Sequence, residues 1–213
     1  MKTFIALTVV TVFLFSCGNN ENISYVKEKY LQTWAKENLN VSKFRNGDTI
    51  IETKSNEEWQ KAGETGMPAW CYYENDAANG KIFGKLYNWY AVSDSRNIAP
   101  TGWHVPTDLE WKNYFLSLGG ESVAGGKLKE TGTLHWKSPN TGATNETRFT
   151  ALPGGWRDYK GTFGSIGLDC DFWSSTDSSS DDAWGHNMIL TSSSVFRNSY
   201  SKHFGFSIRC VKD

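Results

Sequence analysis

No strong charge of one sign marks this sequence. Its 22 Lys and Arg stand against 23 Asp and Glu, and no basic run occurs anywhere along it. A nucleic-acid partner needs a basic face against the phosphates, so this balance argues against one. One short apolar run lies near the start, and no later segment is apolar enough to span a bilayer. Patterns that carry chemistry are equally scarce. His104, His135, His186 and His203 are scattered with no His-Glu-x-x-His, and the cysteines form no Cys-x-x-Cys, so no zinc site is expected. No Gly-x-Ser-x-Gly elbow presents a serine nucleophile, and the serines at 174–180 and 192–194 read as turn formers. Gly125-Gly126 and Gly154-Gly155 lack the Lys-Ser or Lys-Thr of a phosphate loop and read as tight turns. The acids Asp169, Asp171, Asp177, Asp181 and Asp182 lack the ordered spacing of a calcium loop and read as a solvated acidic loop. His104, between Trp103 and Val105, reads as a packed, hydrogen-bonded side chain. The sequence therefore implies no metal, no cofactor and no catalytic residue.

The one apolar run is at the N-terminus. A single positive charge, Lys2, precedes apolar residues 4–15, about the length of a signal-peptide core and too short to cross a bilayer as a helix. It ends in Leu14-Phe15-Ser16-Cys17, which resembles a lipobox, where diacylglycerol is attached and the chain is cut before the cysteine. Residues 1–16 are then a signal peptide and Cys17 the lipid-bearing N-terminus of the mature protein. Residues 17–30, beginning with the polar Gly18-Asn19-Asn20-Glu21-Asn22, read as a tether. Acyl chains contribute ~0.8 kcal/mol per buried methylene, enough in combination to hold a protein on a membrane without a transmembrane helix. Gly18 stands where an Asp would mark retention at the inner membrane, so a place in the cell envelope at the outer membrane is expected.

What the sequence has in abundance is aromatic rings: 10 Trp, 9 Tyr and 12 Phe. A domain of roughly 200 residues rarely needs so many indoles for one core, which places some of them at a surface or groove suited to sugar rings or protein partners. Three further thiols, Cys71, Cys170 and Cys210, would sit in an oxidising compartment, where they allow one bridge and one orphan.

Helical pattern is sparse. The clearest helix starts at Thr107, where Thr107 and Glu110 can form a capping box; Trp111, Phe115 and Leu118 make one stripe, and Gly119-Gly120 ends it. A short helix is expected over Lys85 to Val92, with Leu86, Trp89 and Tyr90 on one face. Residues 121–185 read as long ordered loops with short strands, packed by Trp136, Trp156, Trp173 and Trp184. Residues 193–197 and 205–211 read as two closing antiparallel strands, with Phe206, Ile208 and Cys210 facing inward. Few helices, an aromatic core and short strands predict an α+β domain.

Several segments match a known family in order. Trp34 to Val41 with Phe44 to Asp48, Pro68 to Asp76, Gly84 to Val92, Gly102 to Thr107, Gly125 to Glu130, Phe149 to Gly155, Phe172 to Thr176 and Gly205 to Asp213 resemble the Fibrobacter succinogenes major paralogous domain. That family is abundant in lipoproteins of Bacteroidetes and Fibrobacter, and the resemblance covers nearly all of residues 31–213. It implies a single C-type-lectin-like domain with few helices, short antiparallel strands and long ordered loops, related to formylglycine-generating enzymes. The paired cysteines those enzymes need before the final strand are absent from residues 190–204, and the Glu-Pro-Asn and Trp-Asn-Asp motifs of calcium-dependent lectins are absent too. Because Cys71 and Cys210 lie in matching segments and Cys170 does not, a Cys71–Cys210 disulfide is expected.

The function these features imply is a non-catalytic binding or adhesion module on a lipid anchor, taking a glycan or an envelope protein. Its candidate ligand-binding residues are Trp156, Arg157, Asp158, Trp173 and Trp184, with Trp156 favoured because the preceding glycines could lift it outward. The alternatives are an enzyme on the same scaffold acting on envelope or dietary polysaccharide, and a structural or assembly lipoprotein.

Overall fold

The computed structural model describes residues 32–213. The expected signal peptide, lipid-bearing Cys17 and tether lie outside the described residues. Among those described, no helix is long and apolar enough to cross a membrane.

Among the described residues, five α-helices and several small sheets make an α+β domain. Strands β1 (Ile51–Glu52), β2 (Ala69–Cys71) and β3 (Leu86–Tyr87) form one sheet, with β1 parallel and β3 antiparallel to β2. Helix α1 (Asn56–Glu64) begins at a capping box between Ser55 and Glu58 and buries Trp59 and Ala62. Asp76 caps α2 (Ala77–Phe83), and the Asn88 side chain caps α3 (Trp89–Ser93). The single helix expected from Lys85 to Val92 is thus a strand, a cap and a short helix. The Asn88 side-chain oxygen Oδ1 accepts from the backbone N–H of both Ala69 and Ala91, so it holds sheet and helix together and ends the strand.

Strand β4 (Trp103–His104) pairs with the C-terminal β10 (Val211–Lys212). Helix α4 (Asp108–Ser117) starts where the sequence places it, with Thr107 and Glu110 in a reciprocal capping box and Trp111 and Phe115 buried. The chain then turns through Gly119 and Gly120, both at positive φ, into α5 (Glu121–Leu128). Sequence periodicity misses α5 because it contains Gly125-Gly126. An added Cβ at Gly125 would lie 2.4 Å from the Ser194 carbonyl oxygen, and one at Gly126 equally close to that of Gly142. Here glycine serves close packing rather than a turn.

The remainder is more regular than expected. A hairpin of β5 (Trp156–Arg157) and β6 (Phe163–Gly164) precedes a three-stranded antiparallel sheet of β7 (Asp169–Asp177), β8 (Asp182–Ile189) and β9 (Phe196–Ser201). One face of this sheet carries Cys170, Phe172, His186 and Met188 and packs with Trp111 and Phe115. On the other face, Trp173 joins Tyr87, Phe206 and Ile208 in a second core, and a third lies around Trp59, Cys71 and Leu86.

The closing segment pairs with no single strand. Gly205 bridges Arg157, Phe206 bridges Tyr87, and Ser207 bridges Phe172. It threads between three sheets, so Ser207 and Arg209 are as buried as Phe206 and Ile208. The expected two-strand ending is replaced by β9 on β8 and this central thread.

Candidate functional site

Of the candidate ligand-binding residues, the structure brings Trp156 and Asp158 to one cleft and sends the others elsewhere. Trp173 is fully buried, its indole N–H donating to the Tyr87 carbonyl at 2.9 Å. Trp136 is likewise core, bonded to the Ala151 carbonyl. The ring of Trp184 is covered by the protein's own Arg197, whose guanidinium carbon lies 3.1 Å from the ring centroid and which is held by Asp108 at 2.6 Å. Arg157 points to the opposite side of β5 from Trp156, as neighbours on a strand must. Its guanidinium is buried against Trp59 and Phe163 and donates to the carbonyls of Gly161 and Ser55 and to the Thr53 hydroxyl. It organises the hairpin and is not presented to a ligand.

The cleft has a volume of about 440 Å³, within the ~300–1,000 Å³ of small-molecule sites. Trp156, Tyr159, Tyr200, Phe204 and Phe206 supply rings, and Asp158, Asp169, Asp171 and Asn187 supply polar groups. Local sequence explains the geometry. Gly155, at φ +63°, has no room for a Cβ and donates its N–H to the Asp169 carbonyl, which sets Trp156 beside the start of β7. The Trp156 indole lies across its cross-strand partner Gly164, where a Cβ would be 2.4 Å from the ring. Tyr200 similarly lies over Gly185 and packs edge-on against Phe206 with centroids 4.8 Å apart. Two glycines thus make space for two rings that flank the opening.

The acids come from strand alternation. Asp169 and Asp171, two apart on β7, share the face that also carries Trp173, and Asn187 is the cross-strand partner of Asp171. Asn187 donates to Asp171 Oδ1 at 3.0 Å, while Oδ2 has no partner among the described residues. Burial, and then the neighbouring Asp169 charge, push the Asp171 carboxyl up to about 8. Burial also raises Asp169. A carboxyl with one unsatisfied oxygen and a raised pKa, in a ring-lined cleft, is the kind of group expected at a functional site. The expected solvated acidic loop is therefore divided: Asp177 and Asp181 are exposed at its turn, whereas Asp171 is buried in a strand. The sequence signal was the period-two pattern Asp169, Asp171, Trp173 against Cys170 and Phe172. Among the described residues, no three His, Cys, Asp or Glu side chains form a group that could hold a metal ion.

Two histidines lie outside the cleft. His104 is packed as expected, with Nδ1 2.6 Å from Asp213 and Nε2 2.8 Å from Glu110. Burial pulls its pKa down, but these two carboxylates outweigh it and hold it above the ordinary value. His186 sits between Trp111 and Phe115, and burial pulls it down to about 3, so it is neutral.

The expected Cys71–Cys210 disulfide is not formed. Cys71, Cys170 and Cys210 are free and buried, each in a different one of the three cores. Burial pushes the thiols of Cys71 and Cys210 up to about 12 and raises that of Cys170, so none is a ready nucleophile.

Sequence reasoning missed Tyr159, Tyr200, Phe204, Phe206 and Asn187, because they reach the cleft from β8, β9 and connections whose pairing no local pattern announces. No curated protein and no solved structure matches the chain. A family model does, and the segments it spans include every element that builds the cleft: with residues 31–212 matched, the chain belongs to the family described as the Fibrobacter succinogenes major domain.

Proposed function

We propose that this protein is a lipid-anchored lipoprotein of the cell envelope, placed at the outer membrane, whose C-type-lectin-like domain binds a saccharide in the cleft between β5, β7 and β9. The observation that carries this reading is the combination of ring faces with side-chain carboxyl and amide groups in one concavity. Apolar faces of a sugar stack on aromatic rings, while its hydroxyls need paired acceptors and donors at fixed positions. Asp169, Asp171 and Asn187 offer such groups, and Trp156, Tyr159 and Tyr200 offer the rings. The anchor rests on the pattern Leu14-Phe15-Ser16-Cys17.

A glycan array probed with the full chain in detergent tests the binding reading: saccharide binding is expected, and capture of envelope proteins with no glycan bound would overturn it. Fatty-acid labelling of wild type and Cys17→Ala tests the anchor, with label lost in the variant.

One observation favours a second reading, a polysaccharide-cleaving enzyme on the same scaffold. Asp171 retains its proton near neutral pH beside a second acid, the relation that a general acid and its partner need. Mass spectrometry of the array ligand after prolonged incubation separates the two readings, since a binding module leaves the ligand at full length.

A further inference from the structure

The cleft combines rings and acids with no base among its lining residues. Asp158, Asp169 and Asp171 enter it together with Trp156, Tyr159 and Tyr200, and the three acids do not converge as metal ligands would. Lys160, next to Tyr159, keeps its Nζ 5.5 Å from that ring centroid.

Elsewhere the protein shows how it satisfies ammonium groups. Lys85 Nζ lies 4.2 Å from the Trp70 ring and donates to the carbonyl and side-chain oxygens of Asn40. Lys202 Nζ lies 4.6 Å from Trp89 and donates to the carbonyls of Ser179 and Ser180. Lys129 Nζ lies 5.2 Å from Trp136 and donates to the carbonyls of Thr141, Ile189 and Ser192. In each case a ring face stands beside oxygen acceptors. The cleft repeats this arrangement with carboxyl oxygens as the acceptors, one of them the buried, unpartnered Oδ2 of Asp171.

We propose that the cleft recognises a protonated amine, so that a saccharide bearing free amino groups binds in preference to its N-acetylated counterpart. The proposal rests on the saccharide reading above and adds the charge of the ligand. An ammonium gains from ring faces within ~6 Å and makes charge-assisted hydrogen bonds to carboxylates, whereas acetylation removes the charge and leaves the acids without a cation. An acidic sugar would bring a further negative charge to a cleft that has no cationic side chain in its lining to pair with it. The ammonium also acts on Asp171, which has Asp169 beside it on its own strand, Tyr200 near it on β9 and Asp158 lining the same cleft. A cation at Oδ2 favours the carboxylate, so Asp171 passes its proton to solvent as the amine arrives.

The test is a titration of the full chain in detergent, at about pH 6 where both the ligand amine and Asp171 are protonated, followed by intrinsic tryptophan fluorescence. The probes are a chitosan oligosaccharide, the chitin oligosaccharide of equal length, and n-butylamine. The chitosan probe is expected to bind at least about tenfold more tightly than the chitin probe. Calorimetry in buffers of different ionisation enthalpy should show proton release on binding. Asp171→Asn, which keeps the Asn187 contact, and Asp169→Asn should each reduce the preference and, for Asp171→Asn, abolish the proton release, with melting curves confirming both folds. Equal or tighter binding of the chitin probe would overturn the amine proposal while sustaining the saccharide reading. Binding of n-butylamine with neither saccharide bound would overturn the saccharide reading and sustain the amine, and binding of none of the three would overturn both.

Discussion

Asn187 donates its side-chain amide to Oδ1 of Asp171 across the β7–β8 pair at 3.0 Å, and Oδ2 of the same carboxyl is left without a partner among the described residues. A single amide bond does not replace the water that a buried carboxylate loses, so the neutral acid is the stable form at this position.

That relationship has a measurable pH dependence. The unfolded carboxyl ionises near ~4, whereas the folded one, raised first by burial and then by Asp169, retains its proton up to about 8. Between those values the unfolded chain binds fewer protons than the folded chain, so this group lowers stability as pH rises through the window and adds no further loss above it. Asp171→Asn should flatten the decline seen in urea melts between about pH 5 and 8 and be more stable than wild type at the upper end. Equal slopes in the two proteins would show that Asp171 is ionised in the fold.

Arg157 should behave as a structural residue. Its buried guanidinium satisfies oxygen atoms of Thr53, Ser55 and Gly161, joining the β5–β6 hairpin to the start of α1. Arg157→Met keeps much of the apolar stem and strands those acceptors, and is expected to cost about 2–4 kcal/mol in urea melts. A change below ~0.5 kcal/mol would mean that the guanidinium is free to serve a ligand.

The three buried thiols should be silent in the native protein. Cys71, Cys170 and Cys210 are expected to resist Ellman's reagent until the chain unfolds, and a reductant should leave the melting midpoint unchanged. A midpoint that falls on reduction would restore a disulfide.

The legible parts of the fold were local. Thr107 and Glu110 announce the start of α4 by their spacing, and Trp111 and Phe115 announce its buried stripe. Helix α5 was hidden because Gly125 and Gly126 are selected for contact with the backbones at Ser194 and Gly142, and such a contact leaves no helical signal. At the site, Trp156 followed from its two glycines and Asp158 from adjacency. Arg157 did not, because strand alternation across β5 turns neighbours to opposite sides and the two-residue strand is too short to show its period. Asp171 looked solvated in an acidic run, since its burial depends on Asn187 beside it on β8 and on the closing segment at Ser207, whose N–H donates to the Asp171 carbonyl from far along the chain.

The account stands or falls on whether the saccharide occupies this cleft. Tyr159 is the most direct probe, because it lines the opening, is 49% exposed, and its ring lies 6.2 Å from Phe204, so its removal should leave the fold intact. Leu134, 81% exposed and not among the residues lining the cleft, serves as the control. Calorimetric titration of the saccharide selected on the array should show Tyr159→Ala binding at least about tenfold more weakly than wild type, and Leu134→Ala binding as wild type does. Affinity unchanged in Tyr159→Ala, with the saccharide still bound, would place the binding site elsewhere and contradict the account.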